Sequence, residues 1–213
     1  MPEVLKIDPK NPNTHLLTEA VRIIKDGGVI AYPTETFYGL GADGRSEKAI
    51  ERIFLIKGRN IKEPLSVIIG DRSDLRDIVG EIPESALRLM ESFWPGALTL
   101  VFTASQNVSS LLTAGTGKIG VRISSHPVAA ALARAFRHPI TATSANLSGA
   151  TECTSAQEVL KCIGDKIDAV IDGGRTPGGK GSTIIDVAVR PSVILREGVI
   201  SGPLILHVLA DRQ

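Results

Sequence analysis

"STIIDVAVRPSVILREG", Ser182 to Gly198, decides how the chain is read. Two runs rich in β-branched and aliphatic residues, "STIIDVAV" and "SVILRE", flank Arg190-Pro191 with no room between them for a crossover helix. Strands joined this closely pair antiparallel. Upstream, apolar runs of strand length alternate with segments of helical period, as in a layered α/β sheet. An interleaved chain that closes on an antiparallel pair predicts a mixed α/β fold, with parallel and antiparallel strands flanked by helices.

Working outward, "THLLTEAVRIIKDGG" puts Leu17, Val21 and Ile24 on one face and stops at glycines, so a helix is predicted there. "VIAY" follows as a short buried strand. Ser46 can cap a second helix whose inward stripe is Ile50, Ile53 and Phe54. "LSVII" reads as a strand, "SDLRDIV" and "PESALRLMESF" as helices, with a break at Trp94-Pro95-Gly96. "ALTLVFT", "IGVRI", "PITAT" and "AVID" read as strands, and "HPVAAALARAF" and "TSAQEVLKCIG" as helices. No linker, repeat or low-complexity segment divides the chain, so one domain is expected over 1–213.

Composition narrows the function. Lys and Arg number 24 against 23 Asp and Glu, so bulk charge supplies no nucleic-acid footprint and any basic site must be local. No apolar run reaches the roughly 20 residues that cross a bilayer, so no membrane partner is expected. The opening "MPEVLKIDPKNP" has no leader pattern, which makes a cytoplasmic location the expectation. Cys153 and Cys162 are too far apart for C-x-x-C, and His15, His126, His138 and His207 are scattered, so no metal held by side chains alone is expected.

Three segments resemble phosphate loops. "GTGKIG" (Gly115 to Gly120) fits G-x-G-x-x-G but precedes a strand, whereas the dinucleotide fingerprint follows one and opens a helix. "GGRTPGGKGST" nearly fits a P-loop, yet Gly181 stands where Ser or Thr must hold magnesium, and a strand follows. Lys180 or the loop amides could still meet a phosphate. "TSANLSG" runs from a buried strand into Ser144 and Asn146, suited equally to a ligand contact at a strand end and to a plain turn.

Cations cluster as well. Lys57, Arg59 and Lys62 follow an apolar helix, while Arg122 and Arg196 sit inside strand runs. A strand-embedded arginine cannot shed its charge and needs a carboxylate or phosphate. If Arg122 and Arg196 pair with internal acids they are structural; if they share a cleft with Lys57 and Arg59, the cleft suits a polyanion. "YPTETFYGLG" (Tyr32 to Gly41) reads as a pocket wall, with Tyr32 and Tyr38 as apolar walls with hydroxyl tips and glycines that let backbone approach a ligand. Thr34, Glu35 and Thr36 are candidates there.

"YPTETFYGLGADG", "KGR", "FWPGALTLVF", "IGVRI", "TSANLSG", "GSTIID" and "ILREG" occur in the order found in YrdC-like threonylcarbamoyl-AMP synthases, and the chain resembles that family from about Leu16 to Gly198. The resemblance implies an open, twisted mixed sheet around a concave basic cavity. It implies a nucleotidyltransferase that condenses L-threonine, bicarbonate (or CO2) and ATP with Mg2+ into threonylcarbamoyl-AMP, releasing pyrophosphate. A separate threonylcarbamoyl transferase complex would then modify tRNA, and direct tRNA contact is left open. Lys57, Arg59, Ser144, Asn146 and Arg196 would hold ATP, with Lys57 and Arg59 catalytic. Thr34, Thr36, Arg122, Ser182 and the backbone at Ala142 would hold threonine, with Arg122 on its carboxylate.

The chain departs from the family pattern in three places, one of them "VRIS" (Val121 to Ser124) where "VRVP" is commoner. Glu152 stands where a serine contact is expected, and Glu63 where a small polar residue is common. The resemblance is to the family's single-domain type. An RNA-binding module on the same fold, or a divergent paralogue without synthase activity, are the competing readings.

Overall fold

The structure, a computed structural model, describes residues 1–12 and 14–210 and, within them, every side chain but that of Thr14. Its first half contains β1 (Glu3–Lys6), α1 (Thr14–Lys25), β2 (Ile30–Pro33), β3 (Tyr38–Gly41), α2 (Glu47–Lys57), β4 (Val67–Ile68), α3 (Leu75–Ile78), α4 (Glu84–Phe93) and β5 (Leu98–Thr103). The second half adds α5 (Ser110–Thr113), β6 (Lys118–Arg122), α6 (Pro127–Phe136), β7 (Ile140–Thr141), β8 (Thr143–Ser144), α7 (Ala156–Ile163), β9 (Ala169–Asp172), β10 (Thr183–Asp186), β11 (Val193–Arg196) and α8 (Gly202–Ala210).

The strands form two mixed sheets, ordered β1-β9-β2-β3-β8 and β11-β10-β5-β6-β4-β7. β10 and β11 pair antiparallel, as the opening stretch predicts, while β10 lies parallel to β5. "PITAT", expected as one strand, serves both sheets: Ile140–Thr141 joins one edge and Thr143–Ser144 the other. Ala142 is the seam, its N–H donating to Ser66 O at 2.8 Å. Thr141 N donates to Ala42 O at 3.0 Å and Thr141 Oγ1 accepts from Ala42 N at 2.9 Å, so the sheets are stitched across it.

Strand alternation assigns the faces. In β5 Leu98, Leu100 and Phe102 are fully buried in the main core with Ile119 and Val121 of β6 and Ile185 of β10. The intervening Thr99, Arg122 and Ile184 therefore turn to the opposite face, which is where the cavity lies. α1 and α6 cover the five-stranded sheet on one side, packing Leu17, Val21 and Ile24 with Val128 and Leu132. α2 packs Ile50, Ile53 and Phe54 into the main core, capped as expected by Ser46 Oγ accepting from Ala49 N at 3.3 Å.

Tyr32 departs from its expected place as a pocket wall. Its ring is fully buried between sheet and α6, and its hydroxyl donates to Thr141 O at 3.0 Å. The glycines of "YGLG" serve this ring: a Cβ on Gly41 would lie 2.7 Å from Tyr32 Cε1, and one on Gly39 3.0 Å from Cζ. They make room for packing across the β2–β3 hairpin. No helix among the described residues is long and apolar enough to cross a membrane.

Candidate active site

Sheet register gathers the arginines. Arg196 lies opposite Ile184, and Ile184 opposite Thr99. Leu100 faces Val121, so one antiparallel step further sets Arg122 against Thr99. Arg196, Thr99 and Arg122 thus occupy one row across four strands, and all three line a cavity of about 890 Å³ counting its open mouth. Arg59, from the turn after α2, lines it from the other side.

Arg122 and Arg196 are each held by one side of the guanidinium, Arg59 by all three of its nitrogens. Arg122 Nη1 donates to Glu35 Oε1 at 2.8 Å, and the other Glu35 oxygen accepts from Ser124 Oγ. The pair is well shielded, at 8% and 14% side-chain exposure, so Glu35 fixes the arginine rather than merely decorating it. Arg196 donates through Nη2 and Nε to Ser182 O at 2.8 and 3.2 Å, and through Nη2 to Ser182 Oγ at 3.2 Å. Burial and the nearby Arg122 charge lower its pKa, the behaviour of a cation short of anions. Arg59 donates to Thr143 Oγ1 and Pro64 O, both at 3.2 Å, and its Nε lies 2.9 Å from Glu63 Oε2. Glu63 therefore partly neutralises Arg59 from the rim.

Lys57 is placed differently from Arg59, and the sequence did not distinguish them. It is buried behind the wall, and Nζ donates to Ser144 O, Asn146 O and Asn146 Oδ1 at 2.6, 2.9 and 3.3 Å. Burial first, then Arg59, push its pKa down to about 8. The Ser-x-Asn turn closes on itself: Ser144 Oγ donates to Asn146 Oδ1 at 2.6 Å, and Asn146 Nδ2 to Ala150 O at 2.5 Å. Ser144 reaches the cavity; Asn146, like Lys57, stands behind it.

The expected threonine residues converge on the same space. Thr34, Thr36, Ala142 and Ser182 all line it with Arg122. Thr34 Oγ1 donates to Phe37 O at 2.7 Å and accepts from Thr36 N at 3.2 Å, a hydroxyl-closed turn. With its one proton spent there, Thr36 is the donor in the 3.1 Å contact between the two hydroxyls. Ser182 Oγ lies 3.0 Å from Thr99 Oγ1. Tyr38 also reaches the cavity, its hydroxyl donating to Gly174 O at 2.7 Å.

Sequence reasoning missed Thr99, Ser66 and Thr143, although for Thr99 the alternation within "ALTLVFT" is a usable signal. Of the phosphate-loop lookalikes, "GTGKIG" forms a positive-φ turn at Gly115 and Gly117 ahead of β6, away from the cavity. The glycine-rich stretch before β10 contributes Gly181 and Ser182, but not Lys180. Cys153 is buried and Cys162 half-buried, and both are free thiols.

Gly198 holds the Arg196 end together. A Cβ there would lie 2.1 Å from Gly181 O and 2.6 Å from Ser182 C, both backbone atoms. Gly198→Ala is expected to cost about 2–3 kcal/mol by overpacking and to displace Ser182 from Arg196. Denaturant unfolding reads the first effect, and ligand binding at the cavity the second.

No group of three or more His, Cys, Asp or Glu that could hold a metal exists among the described residues. Glu35 is engaged by Arg122 and Ser124, and the wall carboxylate is Glu152. This donor set fits a cation delivered on phosphates, with at most one carboxylate from the chain.

Known proteins resemble the chain in sequence and fold. The family model Sua5_yciO_yrdC, described as "Telomere recombination", matches residues 22–198. A threonylcarbamoyl-AMP synthase of Pyrococcus abyssi is 43% identical over 179 residues, 84% of this chain and 53% of that protein. One of Vibrio vulnificus is 38% identical over 184 residues, 85% of this chain and 98% of that protein. The crystal structure of P. abyssi Sua5 complexed with L-threonine superposes with a TM-score of 0.94 at 38% identity, over 97% of this chain and 61% of that one. The chain thus spans about half the length of its Pyrococcus relative. Sequence and fold agree that the chain belongs to the Sua5/YciO/YrdC family.

Proposed function

We propose that this chain is an L-threonylcarbamoyladenylate synthase, a nucleotidyltransferase that joins L-threonine, bicarbonate and ATP. The observation that carries the reading is one cavity lined by Arg59, Arg122 and Arg196 together with the Thr34, Thr36 and Ser182 hydroxyls. A site so provided suits a polyanion beside a small hydroxy amino acid. The relative crystallised with L-threonine supports the second half of that description.

The threonine amine combines with bicarbonate to give the carbamate, with loss of water. A carbamate oxygen then forms a bond to the α-phosphorus of ATP as the bond to the β-phosphate bridging oxygen breaks and pyrophosphate leaves. Both reacting partners are anions, so alignment and neutralisation carry the catalysis. Arg196 offers its Nη1 to the phosphates and Arg59 the N–H groups its wall partners leave, while Ser144 would donate there by turning its hydroxyl away from Asn146 Oδ1. Lys57 and Asn146 act from behind, fixing the Ser144 backbone. Arg122, steadied on one corner by Glu35, presents its remaining nitrogens to the threonine carboxylate. Thr34 orients Thr36, whose hydroxyl receives the substrate. A divalent cation such as Mg2+, when bound with ATP, supplies charge neutralisation at the leaving pyrophosphate. The product would pass in the cytoplasm to a threonylcarbamoyl transferase complex acting on tRNA.

The test is pyrophosphate release by the purified chain. The expected result is release that needs threonine and bicarbonate together, and that falls about 10²-fold or more in Arg59→Ala. Release that ignores threonine, or none from folded protein, overturns the reading.

A further inference from the structure

Glu152 is a carboxylate on the cavity wall that makes no hydrogen bond or ion pair among the described residues. The segment carrying it is fixed on both sides. Asn146 Nδ2 holds Ala150 O at 2.5 Å, and the carbonyl of buried Cys153 accepts from Tyr38 N at 2.9 Å. Its charge favours the cationic forms of both Lys57 and Arg196. It lines the cavity together with Ser144, Arg59 and Arg196, the residues read above as the phosphate contacts.

An unpaired carboxylate there is costly for a triphosphate, because like charges meet at short range in a partly desolvated site. A divalent cation between them reverses the sign. Mg2+ is ordinarily held by substrate phosphates plus one or two carboxylates. Glu35 is taken by Arg122 and Ser124, which leaves Glu152 as the carboxylate on the wall. From this we infer that Glu152 is the chain's own ligand for the divalent cation that travels with the nucleotide. The inference rests on the ATP-binding reading above and goes beyond it, giving the cation an anchor on the loop between Asn146 and Cys153. The metal would then tie that loop to the phosphates.

A binding cycle on the full chain tests this, using the non-hydrolysable analogue β,γ-imido-ATP and Mn2+. Analogue affinity is measured with and without Mn2+ for the wild type and for Glu152→Gln, and free Mn2+ is followed by electron paramagnetic resonance. Because Glu152 is exposed and unpartnered, the variant is expected to fold normally. Without metal, Glu152→Gln is expected to bind the analogue several-fold more tightly, since a repulsion has gone. With metal it is expected to bind more weakly, and its ternary complex to hold Mn2+ about tenfold or more less tightly, the scale on which altered metal surroundings act. Equal tightening with and without Mn2+, or unchanged Mn2+ retention, overturns the inference while leaving the nucleotide site intact. A wild type that binds no analogue under either condition overturns the nucleotide reading, and this inference with it.

Discussion

Lys57→Met is expected to lower the unfolding free energy by roughly 2–4 kcal/mol and to abolish nucleotide binding, although Nζ lies behind the cavity wall. Methionine keeps the length and apolar stem of lysine but donates nothing. Ser144 O would keep the Asn146 N–H at 3.0 Å and Asn146 Oδ1 the Ser144 hydroxyl at 2.6 Å, but Asn146 O would lose its donor, and all three lose a charged one. One unpaired buried acceptor carries its whole desolvation penalty and three bonds to a charged donor go together, which is why the loss exceeds the worth of one ordinary hydrogen bond. The Ser144 hydroxyl loses its position because its own backbone carbonyl is one of the three acceptors. Chemical denaturation and titration with an ATP analogue measure the two effects.

The same lysine gives a pH signature. Its native pKa, pushed down to about 8 by burial and Arg59, lies below the unfolded value of 10.5. Between those limits the unfolded chain binds more protons than the native one, so this group's contribution to stability rises with pH across the window. The stability gap between the wild type and Lys57→Met is therefore expected to widen from pH 8 to 10.5 and to be flat below 8. A gap that narrows over that range contradicts the burial account.

Arg122→Ala is expected to have the second large effect, with two separable parts. Truncation leaves the half-buried Glu35 carboxylate with Ser124 as its remaining partner, which is expected to cost about 3 kcal/mol of stability, the low end for a broken buried pair. It also removes the charge read as the partner of the threonine carboxylate. The apparent threonine requirement is expected to rise about 10²-fold, the scale of a lost charge-assisted pair, and the ATP requirement much less. Adding Glu35→Gln to Arg122→Ala is expected to recover much of the stability and none of the threonine affinity. Equal changes in the two substrate requirements would assign Arg122 to general cavity structure instead.

Much of this arrangement was legible in the sequence, and the remainder has physical reasons for being hidden. The antiparallel β10–β11 pair follows from the short connection around Arg190-Pro191, which admits no crossover. Ser46 and its inward stripe are local signals and appear as expected. The glycines of "YGLG" read as places where backbone approaches a ligand, and Gly39 does line the cavity, but both Gly39 and Gly41 also make room for the Tyr32 ring, a neighbour visible only after pairing. "PITAT" looked like one strand because periodicity does not report that a run changes sheets at Ala142. In the site, Arg59, Arg122 and Arg196 were recognisable as cations in need of an anion, and the structure brings all three to one cavity. The sequence could not separate Lys57 from Arg59, two residues apart, because which side of the wall each occupies depends on how α2 ends at Gly58, at φ +57°. Nor could it pair Glu35 with Arg122 across 87 residues, although an internal acid for that arginine was one of the two outcomes open.

The most direct measurement of the central claim is mass spectrometry of the product formed from ATP, threonine, Mg2+ and 13C-bicarbonate. One heavy carbon in a threonine-containing adenylate, formed together with pyrophosphate and absent in Arg59→Ala, is the expected result. Nucleotide turnover that leaves no 13C in any adenylate would contradict the account.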